Sequence, residues 1–345
     1  MKVSITGTRG IPNKYGGFEQ FAQKIALNLS KLDIKVTVYS PSYRKDNNHN
    51  YENIEIKKIF FPRFLEPFYH FVYDFLSIRD SIKTNCDIII VCGYVTSLPT
   101  LIMLKKNKSK FLIHTDGLEW KRKKWNKLIK LYIKFAERYV AKNSYKLITD
   151  HKIIQEYFKK KYKITPYCIP YGYSEKIEYK PIPENYFLMI ARNETENQLK
   201  LVIEAFELSS TDIELWIFTN KPLKTKTNKN IKIWLNIYDE EFLNNIRYHA
   251  IAYIHAYTVG GTNPSLIEAM KYCKLIIAFN NEFHKEILKD NAIYFSKKDE
   301  LINIFKNKNI KELSYREIYN KILEENYSWE KITKQYLLVF NTFES

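Results

Sequence analysis

Short apolar runs alternate with longer amphipathic stretches along most of the chain. In the first half, residues 3–5, 36–39, 54–59, 88–91, 111–114 and 146–148 are candidate strands. Apolar positions at helical spacing predict helices over 18–30 and 120–142. After residue 174 the alternation restarts. Strands are expected at 187–190, 213–218, 231–234, 251–255, 275–278 and 292–295, and helices near 198–208, 239–248, 264–270, 311–325 and 328–343. Strands separated by helices predict parallel sheets covered on both faces. Ligands of such sheets bind at the carboxyl ends of the strands. Residues 165–174 (TPYCIPYGYS) contain two prolines and a glycine and read as a hinge, and a length of 345 residues fits two domains. The polar run 221–230 reads as a surface loop.

Within this pattern, residues 250–270 (AIAYIHAYTVGGTNPSLIEAM) stand out. A strand leads into Gly260 and Gly261, and a helix follows from Pro264. Thr262 or Asn263 can cap that helix, and proline suits its first position. Free amides and the positive dipole end would make an anion site, with Glu268 one turn deeper. Residues 7–19 (GTRGIPNKYGGFE) form a second glycine-rich strand-to-helix loop. It matches neither G-x-G-x-x-G nor the Walker loop. Its Gly16 and Gly17 would let a ligand approach the backbone; a plain connection is the alternative. His114 and Asp116 end an apolar run and could meet sugar hydroxyls, or be a structural histidine and a turn aspartate before Gly117. Arg192 follows the first strand of the second half. It could fork onto phosphate oxygens or pair with Glu194 or Glu196.

Charge sharpens the picture. The net charge is +17, and residues 1–170 hold 32 Lys and Arg against 14 Asp and Glu, whereas 171–345 hold 23 against 24. The excess therefore lies in the first half and suggests an anionic partner. The densest basic stretch, 120–142, carries an apolar stripe of Trp125, Leu128, Ile129, Tyr132, Phe135 and Ala136. That stripe is expected to pack on the sheet. Lys121, Arg122, Lys123, Lys124 and Trp125 are candidates for contact with an anionic membrane surface. The cysteines at 86, 92, 168 and 273 have no metal-type spacing, and a reducing compartment is expected. The N-terminus reads as a strand rather than a signal peptide, and no apolar run approaches the ~20 residues of a membrane span. The location expected is cytoplasmic, peripheral on the inner face of the cell membrane. The basic residues match no nucleic-acid motif.

Residues 7–21 (GTRGIPNKYGGFEQF), 114–121 (HTDGLEWK) and 259–270 (VGGTNPSLIEAM) together resemble the rhamnosyltransferase-like branch of family 4 retaining glycosyltransferases. The resemblance runs over nearly the whole chain. It implies an α/β GT-B fold: two facing Rossmann-like domains, 1–168 for acceptor and membrane and 169–326 for the nucleotide-sugar, with a C-terminal helix (327–345) crossing back to the first. It implies sugar transfer, rhamnose favoured, from a dTDP- or UDP-linked donor to a polyprenyl-diphosphate-linked glycan in bacterial surface polysaccharide synthesis, without cofactor or metal. His114, Asp116 and Glu268 would form the catalytic centre. Gly16, Gly17, Arg192, Gly261, Thr262, Asn263 and Glu268 would bind the donor, Glu268 holding the ribose as the second glutamate of E-x7-E. Glu268→Ala is expected to weaken turnover without unfolding the chain. Two positions depart from the family pattern. Gly260 stands where the first glutamate would fall, and Asn197 where a lysine often follows the arginine, with Lys200 nearby. A glycosyltransferase using glucose or galactose, a GT-B-type sugar-nucleotide epimerase, a nucleic-acid-binding protein and a catalytically dead binding partner are the competing readings.

Overall fold

The computed structural model describes residues 1–44, 48–62, 68–143, 145–175, 177–223 and 229–343. Half of the polar loop expected at 221–230 lies outside them. The chain divides into two compact units, Met1–Lys121 with Trp125–Tyr171 and Trp329–Ser345, and Arg122–Lys124 with Gly172–Ser328.

The first unit contains β1 (Lys2–Thr6), α1 (Gly17–Ser30), β2 (Lys35–Ser42), β3 (His49–Tyr51), β4 (Ile54–Phe60), α2 (Tyr69–Lys83), β5 (Ile88–Cys92), α3 (Leu98–Met103), β6 (Phe111–His114), α4 (Lys127–Lys142), β7 (Lys146–Thr149), α5 (Lys152–Tyr162) and β8 (Tyr167–Cys168). The strand order is β3-β4-β2-β1-β5-β6-β7-β8, parallel except for the β3–β4 pair at the edge. β5 (IIIVC) is buried at every position, as a strand covered on both faces must be. On one face, α1 buries Phe21, Ala22, Ile25, Ala26 and Leu29, one helical stripe, against Val3, Ile5, Val36 and Val38.

The second unit contains β9 (Tyr186–Ile190), α6 (Leu199–Ser209), β10 (Glu214–Thr219), β11 (Ile231–Leu235), α7 (Glu240–His249), β12 (Ala252–His255), α8 (Pro264–Tyr272), β13 (Ile276–Phe279), α9 (Glu282–Leu288), β14 (Ile293–Phe295), α10 (Lys298–Lys306) and α11 (Arg316–Asn326). All pairs in its sheet, β11-β10-β9-β12-β13-β14, are parallel. The sheet has a core on each face. One includes residues of α7, α8 and α11, the other residues of α6 and α10. The last helix, α12 (Trp329–Asn341), belongs to the first unit. It adds Ile332, Tyr336, Val339 and Phe340 to the core under α1, and Asn28 donates to the Thr333 hydroxyl at 3.1 Å.

Two expected helices are shorter than their patterns. The basic helix starts at Lys127, because the Asn126 side chain accepts from the Ile129 N–H and caps it there. Residues 119–121 form a separate 3-10 turn. Likewise α11 starts at Arg316, after a separate turn at Lys308–Glu312. The expected stripe of the basic helix is also displaced. α4 buries Ile133, Ala136, Glu137, Val140 and Ala141, whereas Leu128, Ile129 and Phe135 are exposed. A carboxylate takes part of the inward face, and aliphatic side chains are left in water.

Candidate active site

Each sheet has one place where the chain's winding reverses. In the first unit it lies between β1, which continues to β2 on one side, and β5, which continues to β6 on the other. Such a point opens a crevice at the strands' carboxyl ends. The glycine-rich loop leaves β1 here. Gly7 has φ 80°, and a Cβ on it would sit 2.5 Å from the Cys92 carbonyl oxygen, so only glycine fits. Within the loop, the Arg9 N–H donates to Glu19 Oε1 at 2.8 Å, and its guanidinium lies 3.4 Å from the Tyr15 ring centroid. Gly16, in extended conformation, is the N-cap of α1 and Gly17 its first residue; no side-chain cap bond closes the helix start.

His114 ends β6, one strand beyond β5. It is 1% exposed, boxed by Phe18 and Phe21 and stacked with Tyr171 at 5.7 Å. Its Nδ1 has no hydrogen-bond partner among the described residues. Burial pulls its pKa down to about 3, so the imidazole is neutral near pH 7. A neutral, unpaired ring nitrogen at a strand's carboxyl end suits a hydroxyl better than an anion. Asp116 has φ 59°, the turn geometry that aspartate tolerates.

In the second unit the reversal lies between β9, which continues to β10, and its neighbour β12, which continues to β13. Arg192 follows β9 by two residues. The glycine turn and α8 follow β12. Ser265, in the first turn of α8, bonds Tyr253 Oη at 2.6 Å and donates to the Ile190 carbonyl at 3.4 Å. That tie holds the helix start against the end of β9. Asn197 donates to the Arg192 carbonyl at 2.8 Å and so shapes the loop carrying the arginine. Lys200 is 91% exposed and pairs with Glu204.

The start of α8 differs from the expected open amide mouth. Asn263 accepts from the Ser265 N–H at 2.9 Å, Pro264 has no N–H, and the Leu266 N–H bonds the Asn263 carbonyl. The first turn is closed by its own cap. An anion there would meet the dipole end and the 260–263 turn. Gly261 has φ 130°, open to glycine alone. Gly260 is a matter of space, since a Cβ would lie 1.8 Å from Phe283 Cζ. The Phe283 ring thus occupies the room that a glutamate at 260 would need. Glu268, 8% exposed, places Oε2 2.5 Å from the Arg247 guanidinium, whose Nη1 also donates to Asn244 at 2.7 Å.

The basic segment needs a correction. Arg122, expected at a membrane, is 8% exposed and bonds the Glu194 carboxylate, with Glu196 at 3.8 Å. The Lys123 N–H donates to Glu196 Oε1 at 2.9 Å. Two carboxylates in the loop after β9 draw the arginine inward. Arg192 stands 3.6 Å from the same Glu194. Lys121, Lys123 and Lys124 are exposed; Trp125 is half-buried, its indole N–H on Glu119. Sequence reasoning missed Arg247 and Ser265, which meet Glu268 and the Ile190 carbonyl from distant parts of the chain, and Asn244, which steadies Arg247 from one turn away. Among the described residues, no group of three or more His, Cys, Asp or Glu side chains is gathered to hold a metal.

Gly16, Gly17, His114 and Asp116 thus lie at or after strand ends in the first unit, and Arg192, Gly261, Thr262, Asn263 and Glu268 after β9 and β12 in the second. Residues 1–174 match the family described as "Domain of unknown function (DUF1972)". The chain belongs to this family. The match takes in the glycine-rich loop and the His114 segment, so both are features of the DUF1972 region. No curated protein matches in sequence. Solved structures match throughout. Sucrose-phosphate synthase from Thermosynechococcus elongatus aligns over 99% of this chain and 98% of its own, with TM-score 0.81 and 11% identity. A variant of S. aureus TarM in complex with fondaparinux, alpha-GlcNAc-glycerol and UDP aligns over 99% of both chains, with TM-score 0.71 and 11% identity. Anabaena HepE in complex with UDP and glucose aligns over 99% of this chain and 100% of its own, with TM-score 0.68 and 11% identity. At these identities the likeness describes the architecture, and the architecture is α/β GT-B.

Proposed function

We propose that this DUF1972 chain is a retaining glycosyltransferase that moves a sugar, rhamnose favoured, from a dTDP- or UDP-linked donor to a hydroxyl of a polyprenyl-diphosphate-linked glycan, at the inner face of a bacterial membrane, in surface polysaccharide synthesis. One observation carries the reading. At the winding reversal of the second sheet, Arg192 follows β9 in a loop shaped by Asn197, and the start of α8, just after the 260–263 turn, is tied to the end of β9 through Ser265. A cation, a positive dipole end and a glycine turn are what a diphosphate needs.

In the proposed reaction the bond from the anomeric carbon to the diphosphate breaks, and the acceptor oxygen bonds that carbon on the same face. The acceptor's proton passes to the departing phosphate oxygen, so no side chain serves as the base. Arg192 and the helix dipole stabilise the charge that gathers on the leaving group. No metal is assigned to this step. Gly16 and Gly17 lie close to the diphosphate or the acceptor. His114, neutral through burial, meets a hydroxyl of the donor sugar, and Asp116 accepts from another. Glu268, fixed by Arg247, holds the ribose. Gly261, Thr262 and Asn263 line the phosphate turn.

The test is a thermal-shift screen of nucleotide-sugars, followed by incubation of the best donor with and without a lipid-linked acceptor. A ligand that binds only the native state raises the melting temperature. The reading requires stabilisation by a dTDP- or UDP-sugar and product only with acceptor. Conversion of the donor sugar without acceptor would favour an epimerase.

A further inference from the structure

Among the described residues of its own unit, the outer face of α4 is left uncovered. Leu128 is 78% exposed, Leu131 67% and Phe135 54%. At ~100° per residue these three share one side of the helix. Lys127, Lys130 and Lys134 line its flank, and the only acid of α4, Glu137, is fully buried under Tyr157, Tyr162 and Lys161. The apolar surface extends beyond the helix. Tyr132 bonds the Val95 carbonyl at 2.8 Å and touches the Phe71 ring, which is itself 37% exposed. Across the Tyr145–Leu101 hydrogen bond, α3 contributes Met103, 67% exposed, followed by the exposed Lys105, Lys106 and Lys108.

We propose that this face inserts into an anionic bilayer, with Leu128, Leu131 and Phe135 entering the boundary between headgroups and acyl chains and the flanking lysines meeting lipid phosphates. An outward helix face with aliphatic and aromatic side chains, bordered by cations, is the composition of an in-plane membrane helix. A second copy of this chain fits poorly, because lysines would face lysines. The proposal rests on the lipid-linked acceptor reading for its purpose, and it replaces the 121–125 segment, whose arginine is buried, with α4 as the principal contact.

The experiment is flotation of the full chain with neutral phosphatidylcholine vesicles and with vesicles carrying phosphatidylglycerol. The wild type should float with the anionic vesicles and lose that association as salt rises. Neutralising Lys127, Lys130 and Lys134 together to Gln should weaken partitioning by about 100-fold. Leu131→Glu with Phe135→Glu should abolish it even at low salt. Lys127, Leu131, Lys134 and Phe135 are exposed and Lys130 is half-buried, so far-UV circular dichroism should be unchanged. Nucleotide binding, read by thermal shift on the same variants, should also be unchanged, which separates failure here from failure of the donor reading. A wild type that stays soluble with anionic vesicles overturns the proposal. So does a Leu131→Glu/Phe135→Glu variant that floats like the wild type, since lysines alone would then explain the attraction.

Discussion

Removing the Glu268 carboxylate should destabilise the second unit, whatever it does to turnover. Its Oε2 lies 2.5 Å from Arg247, and the two side chains are 10% and 3% exposed. In Glu268→Ala the guanidinium stays buried with Asn244 as its remaining named partner. Breaking a buried ion pair from one side costs about 3–5 kcal/mol, a large share of the ~5–15 kcal/mol that stabilises a domain. This changes the expectation that Glu268→Ala leaves the fold intact. Replacing both partners by apolar residues of similar volume removes the stranded charge, so Arg247→Met/Glu268→Leu should lie within about 1–2 kcal/mol of the wild type. Urea unfolding followed through Trp216 and Trp234, both in the second unit, is the assay. An Ala variant as stable as the wild type, or a double variant no better than the Ala variant, would refute the reasoning. The ribose role is better probed with Glu268→Gln, which keeps an oxygen for Arg247, at a temperature where the variant is folded.

Three further outcomes are expected. Gly260→Glu should cost about 1–3 kcal/mol by overpacking against Phe283, and Phe283→Ala should relieve part of that cost in the double variant; additive losses in denaturant melts would count against the contact. His114, with its pKa lowered to about 3 in the folded chain and near 6.5 when unfolded, takes up a proton on unfolding between those values, so stability should fall as pH drops from about 6.5 towards 3. Buried Asp74, its pKa raised to about 7, acts in the opposite sense and loses its contribution as pH rises from about 4 through 7. Comparing wild type with His114→Gln at pH 7 and pH 5 isolates the histidine, and equal differences at the two pH values would contradict the assignment. Arg192→Ala should weaken binding of a nucleoside diphosphate by about tenfold or more in calorimetry while leaving the melting temperature of the free chain within a few degrees, because its side chain is 37% exposed and its pairing with Glu194 is loose.

The central strands were legible because a parallel sheet buried on both faces writes continuous apolar runs, as in β5 and β13. The strand–turn–helix at 251–270 was legible because cap, proline and glycines are local chemistry. Other helices hid their period. The buried face of α2 carries Asp74, Ser77 and Ser81 beside Tyr73 and Ile78, and α5 buries only Ile154 and Phe158. The α4 stripe misled because an apolar face at helical spacing does not say which side meets the core, and a buried glutamate reversed the assignment. At the site, residue types were readable but their pairings were not. Nothing near Glu268 in sequence announces Arg247, 21 positions earlier, nor does the glycine at 260 announce the Phe283 ring that excludes a side chain there. Such contacts arise only when separate elements meet.

The most direct measurement of the central claim is a crystal structure of the chain with UDP or dTDP. The account predicts the diphosphate at the end of β9, within hydrogen-bond distance of the Arg192 guanidinium and the 260–263 backbone, with the pentose beside Glu268. A nucleotide seated elsewhere, with Arg192 still turned to Glu194 and the turn untouched, would contradict it.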